Sequence, residues 1–137
     1  MLQDDPIEGA RHRLERAAAG LLYRSETDAP FTWVHFPDSN GDGLRAAAVG
    51  RLLDVPEDEV EEWTIERFFA GHIEEANRLD PAALARVGLF RVLRDMLHKE
   101  VHGVRAYRVG RKNLRCLLIG RLGDGSVGGL ETRSLET

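Results

Sequence analysis

The chain has 137 residues, 42% hydrophobic and 31% charged, enough for one domain to bury a core without covalent staples. Its single cysteine, Cys116, excludes an intramolecular disulfide and points to a reducing compartment, and no apolar run approaches the ~18 residues of a membrane span. The net charge of −4 conceals a split: residues 1–80 hold 18 Asp/Glu against 8 Lys/Arg, whereas residues 81–137 hold 5 against 11. A split of this kind bears on partners, or on the docking of the two halves, more than on fold.

The N-terminus, Met1-Leu2-Gln3-Asp4-Asp5, lacks the basic region and apolar core of a signal peptide, so a soluble cytoplasmic protein is expected. Asp4 or Asp5 can cap a first helix, with Pro6 in its first turn, Ile7, Leu14, Ala17/Ala18 and Leu21 on one face, and Gly20 as its stop. A polar corner follows, Leu21-Leu22-Tyr23-Arg24-Ser25-Glu26-Thr27-Asp28-Ala29-Pro30. Alternation then predicts a strand over 31–36, with Thr32, Val34 and Phe36 opposite Phe31, Trp33 and His35. A short helix is predicted over 44–53, and a charged loop over 54–62 leads into a strand near 60–63. Thr64 can cap a helix carrying Ile65, Phe68 and Phe69. Asp80-Pro81 opens the longest helix, reaching about His102 before Gly103, with a stripe of Leu84, Val87, Leu89/Phe90, Leu93, Leu97 and Val101.

Three strands close the chain, over 104–109, 114–122 and 126–135. The breaks between them, Gly110-Arg111-Lys112-Asn113 and Gly123-Asp124-Gly125, carry residues that tolerate positive φ. The middle run is apolar enough to be buried on both faces, which makes it a central strand. Ser134-Leu135-Glu136-Thr137 would then project from a sheet edge. The order α-β-α-β-α-α-β-β-β fits helices flanking a mixed sheet in one domain over 1–137.

Several constellations were weighed for chemistry. Asp38-Ser39-Asn40-Gly41-Asp42-Gly43 opens like a calcium loop, but Val49 stands where the bidentate Glu is required. His98 and His102, four apart on a predicted helix, would make only a two-ligand metal site. Gly123-Asp124-Gly125-Ser126-Val127-Gly128 matches G-x-G-x-x-G as a string, yet a strand follows where a dinucleotide fingerprint needs a helix. Cys116 lies mid-strand among leucines, away from any evident base, and Ser25-Glu26 with the five histidines yields no triad. No catalytic core, cofactor or metal of the chain's own is expected. Arg105, Arg108, Arg111, Lys112, Arg115, Arg121 and Arg133 could form a basic sheet face for nucleic acid, although only Tyr107 offers stacking among them.

Gly20-Leu21-Leu22-Tyr23-Arg24-Ser25-Glu26 through Pro30-Phe31, Phe68-Phe69, Tyr107-Arg108-Val109-Gly110, Ile119-Gly120, Gly128-Gly129-Leu130 and Glu136-Thr137 together resemble the nuclease A inhibitor family. The likeness covers nearly the whole chain and is weakest over 38–63. It implies an α+β fold, a three-layer α/β/α sandwich around a mixed, mostly antiparallel sheet, similar to the pathogenesis-related protein 1 fold. It also implies a non-enzymatic inhibitor that blocks a secreted, sugar-non-specific, magnesium-dependent endonuclease. Thr137 would reach the nuclease's metal and Glu26 would pair with basic groups at its site, with Glu136 and Asp28 in support. The family's acid-tryptophan pair before the long helix is matched here by Asn77 and Arg78, so that part of the interface differs. A small nucleic-acid-binding or regulatory module using the basic sheet is the alternative, and Ser25-Glu26 could equally be a plain polar turn.

Overall fold

A computed structural model describes residues 5–74 and 80–136. Helix α1 (Pro6–Ala18) starts where the sequence signals it: the Asp5 carboxylate accepts from the Ile7 N–H at 2.9 Å, and Pro6 occupies the first turn, where no N–H is needed. Ala10, Leu14 and Ala18 form its buried face. After Gly20, whose φ of 77° ends the helix, a small hairpin pairs β1 (Leu22–Arg24) with β2 (Asp28–Pro30). Strand β3 (Thr32–Asn40) follows, then α2 (Ala46–Leu53), a 3-10 turn at Glu57–Glu59, β4 (Val60–Trp63), α3 (Ile65–Glu74) and α4 (Pro81–Glu100). Asp80 caps α4 by accepting from the Ala82 N–H at 3.0 Å. The chain finishes with β5 (His102–Val109), β6 (Asn113–Arg121) and β7 (Ser126–Leu135).

Five strands form one sheet in the order β3-β7-β6-β5-β4, every pairing antiparallel. The expected mixed character is therefore corrected: β5, β6 and β7 run as a meander through tight turns, and β3 and β4 pair antiparallel on its two sides. The period of two sorts the core. Ala106, Cys116, Leu118 and Leu130 face one way, against Leu14 of α1, Phe68 and Phe69 of α3, and Phe90, Leu93 and Leu97 of α4. Tyr107, Leu117, Ile119 and Val127 face the other way, against Val49 of α2, with Val34, Phe36 and Val60 closing that cluster. Strand β6 is the central strand, as its apolarity implies.

Two expectations change. Helix α4 ends at Glu100, not His102, because Val101 turns extended (φ −121°, ψ 107°) to bury its side chain, and His102 pairs with Arg121 in β5. Leu84 and Leu89 of the predicted stripe are exposed; the buried face is Val87, Phe90, Leu93 and Leu97. Strand β7 is interior between β3 and β6 only over residues 126–131; residues 132–135 pair with β6 alone, and the Ser25-Glu26 corner meets their free side at Leu135. Within β7, Gly129 adopts φ 152°, and a Cβ there would fall 2.0 Å from the Leu118 carbonyl oxygen. Gly129 thus marks a close backbone approach between β7 and β6.

Candidate functional site

The polar corner of the sequence is the tip of the β1–β2 hairpin, and it is bolted to the body on two sides. Tyr23 is buried, its ring stacked on Phe68 with centroids 4.3 Å apart and on His72 at 4.7 Å. Its hydroxyl donates to the Phe68 carbonyl at 3.3 Å. Burial raises its pKa to about 12, so the phenol keeps its proton and the bond. The Arg24 N–H donates to His72 Nε2 at 2.9 Å, and the Thr132 hydroxyl of β7 donates to the Ala29 carbonyl at 3.3 Å.

At the tip, Ser25 joins the corner to the far end of the chain. Its Oγ accepts from the Leu135 N–H at 2.9 Å and donates to the Thr27 carbonyl at 3.1 Å. The Glu26 N–H then donates to the Leu135 carbonyl at 3.3 Å. Residues 25–26 and 135–136, 110 positions apart, are therefore neighbours. The plain polar turn and a tie to β7 coexist in one hydroxyl.

Beyond Leu135, the Glu136 N–H donates to the Lys112 carbonyl at 2.7 Å. The Glu136 carboxylate takes the Arg108 guanidinium and accepts from the Ser134 hydroxyl at 3.3 Å. Arg108 is buried, 7% exposed, and its guanidinium carbon lies 3.9 Å from the Trp63 ring centroid. Glu61 is 3.5 Å from its Nη1 and also accepts from the Trp63 indole N–H. Cys116 sits beneath this group, its thiol pushed up to about 11 by burial, so it is held as the protonated, unreactive form.

Of the residues singled out in the sequence, the structure brings Glu26 and Glu136 to one end of β7 and leaves Asp28 exposed on β2, paired across the hairpin with Arg24. Asn77, Arg78 and Thr137 lie outside the described residues. Sequence reasoning placed Arg108 only in a basic row and missed Trp63. The one signal for them was an aromatic following the acidic run at the matched face of β4.

The basic row does not stand alone. Glu62 meets Arg105 at 3.1 Å, Glu59 meets Arg111 at 3.3 Å, Asp42 meets Arg121 at 2.5 Å, and Glu131 pairs with Arg115. In three of these pairs an acid of the first half docks onto a base of the second, and a face compensated in this way loses the counterion release that drives nucleic-acid binding. Two other sequence patterns resolve as local structure. His98 pairs with Glu66 at 2.7 Å on one helix face while His102 belongs to β5, which undoes the two-histidine spacing. Asp42 of the calcium-like loop is occupied by Arg121, and among the described residues no cluster of three His, Cys, Asp or Glu could hold a metal. His35 Nε2, Ser126 Oγ and Asp124 do meet, at 2.8 and 2.5 Å. The carboxylate, however, sits on the serine and also accepts from the Ser126 N–H, which depresses the Asp124 pKa; this closes a turn and does not orient an imidazole base.

No helix is long and apolar enough to cross a membrane among the described residues. No curated protein matches the chain. The family model of nuclease A inhibitor-like proteins matches residues 8–137, from the first turn of α1 through the Ser25-Glu26 corner to Thr137. On that match over nearly its whole length, the chain belongs to the nuclease A inhibitor-like family.

Proposed function

We propose that this protein binds a secreted, sugar-non-specific, magnesium-dependent endonuclease and blocks its active site, without catalysis of its own. The observation that carries the reading is the tie between Ser25-Glu26 and Leu135, which brings an exposed carboxylate beside the end of β7. An exposed carboxylate there suits a site built to hold a polyanion with a divalent cation and basic side chains. Thr137 would offer oxygen ligands to the partner's cation, the hard-donor chemistry that magnesium prefers. Glu26 would take the place of a flanking phosphate, with Asp28 beside it. Asn77 and Arg78 would meet a different part of the partner than an acid-tryptophan pair does, and so would set which nuclease is recognised.

The surplus of acid in residues 1–80 would speed encounter with a basic nuclease. Helices on both faces of the sheet support a three-layer α/β/α sandwich similar to the pathogenesis-related protein 1 fold, in one domain over 1–137. The buried free thiol supports a cytoplasmic location, where the protein would protect the cell's own nucleic acid. The test is to titrate the protein into a magnesium-dependent, sugar-non-specific nuclease digesting plasmid DNA. Activity should fall to zero near one equivalent, with relief by excess DNA. Full activity at large molar excess, across several such nucleases, would refute the proposal.

A further inference from the structure

An arginine is a poor way to fill an interior strand position. Arg108 is 7% exposed, pairs with Glu61 of β4 on one side and Cys116 of β6 on the other, and keeps a buried Nε with no hydrogen-bond partner among the described residues. A methionine would pack there without a desolvated charge or an unanswered N–H. What the guanidinium alone supplies is a fixed donor group for Glu136. Its plane is set by the Trp63 ring, 3.9 Å away, which Arg67 of α3 also approaches at 4.0 Å. Trp63 is in turn held by its indole N–H on Glu61. The Glu136 backbone is tied to Lys112 and its carboxylate to Arg108 and Ser134.

We infer that Arg108 is a positioning residue: with Trp63 behind it, it latches Glu136 at the end of β7, beside the Ser25-Glu26 corner. Glu136 is then an internal anchor and not a contact with the partner. The inference rests on the nuclease-inhibiting reading for its purpose, but the latch itself does not. A chain end fixed before binding loses less conformational freedom on docking, so the latch would act on affinity through preorganisation.

Glu136→Gln keeps the shape and removes the charge, Arg108→Met removes the guanidinium, Arg108→Lys keeps a cation without the planar fork, and the double variant Arg108→Met with Glu136→Gln closes a cycle. Two readouts are taken on each: the inhibition constant, and the rate at which carboxypeptidase removes Thr137 from the 137-residue chain. Glu136→Gln should weaken inhibition at least about tenfold, the scale of one charge-assisted hydrogen bond, with a lowered thermal midpoint, since it leaves the buried guanidinium less well paired, and with faster trimming. The double variant should be no worse than the poorer single, since the two residues act as one pair, and Arg108→Lys should recover part of the loss. Trimming and inhibition of Glu136→Gln at the parent's level would overturn the inference, as would additive single effects. A parent that inhibits no nuclease would sink the proposed function, and the trimming rates alone would then decide the latch.

Discussion

Replacing Ser25 by alanine removes one hydroxyl and tests whether the corner and the end of β7 are mechanically joined. In the folded chain that oxygen accepts from the Leu135 N–H at 2.9 Å and donates to the Thr27 carbonyl at 3.1 Å. Alanine fits the same backbone, so the loss is confined to those bonds and the long one the hydroxyl accepts from the Thr27 N–H at 3.4 Å. Leaving the part-buried Leu135 N–H unanswered costs about 1–3 kcal/mol, and water reaching the half-buried corner restores some of it, so a net of about 1.5 kcal/mol is expected. With an unfolding entropy of roughly 2 cal/mol/K per residue, that corresponds to a melting point lower by about 5 °C. Calorimetry measures the shift, and amide exchange at Leu135 locates it: that single amide should exchange faster, while the β6 amides around Cys116 stay protected. The Glu26 backbone bond to Leu135 would remain but lose its neighbour, so inhibition should weaken as well. A melting point unchanged within about 1 °C, together with unchanged exchange at Leu135, would refute the tie and with it the geometry of the proposed site.

Gly129→Ala should be the most damaging single methyl in the chain: a Cβ would sit 2.0 Å from the Leu118 carbonyl oxygen at φ 152°. A cost of about 3 kcal/mol and a melting point lower by roughly 10 °C are expected by calorimetry; parental stability would contradict the close β6–β7 approach. Burial raises Cys116 from 9.0 to about 11 and Tyr23 from 10.0 to about 12. Both groups are acids favoured neutral in the fold, so their stabilisation is complete below pH 9 and is lost as pH climbs through about 11 to 12. Denaturant melts from pH 8 upward should show stability falling over that window, with a shallower fall in Cys116→Ala. Native Cys116 should also resist an aromatic disulfide reagent at neutral pH and react on unfolding. In gel-shift titrations at low salt the protein should leave DNA and RNA unshifted, because Arg105, Arg108, Arg111, Arg115 and Arg121 are paired with carboxylates; a shift that weakens steeply with salt would revive the basic-face reading.

The elements with long, consistent patterns were legible before any coordinates. Asp5-Pro6 and Asp80-Pro81 announce α1 and α4 because capping and the first-turn proline are local chemistry. The alternation through 104–109 and the apolar run 114–119 announce β5 and a central β6, whose side chains divide between the two cores as the period of two requires. What failed depended on contacts distant in sequence. Val101 leaves the helix to bury itself in the core, a choice that helical spacing cannot see. The three-residue strands β1 and β2 are too short for any period to register, so the hairpin read as a corner. The sequence also hid β3, which covers the first half of β7, and the hairpin corner, which meets the free side of its last residues. In the candidate site, Ser25 and Glu26 were visible through family likeness, but their bonds to Leu135 were not. Arg108 was hidden for the opposite reason: seven basic residues in one stretch look alike in sequence, and only the burial of this one against Trp63, facing Glu136, sets it apart.

The central claim, that Thr137 beside the Ser25-Glu26 corner blocks a nuclease's metal site, is tested most directly by deleting that one residue. The 137-residue chain and its 136-residue form are compared for inhibition of the same magnesium-dependent nuclease, with melting points measured in parallel. The account predicts equal melting points and inhibition only by the longer chain. Equal inhibition by both would contradict it.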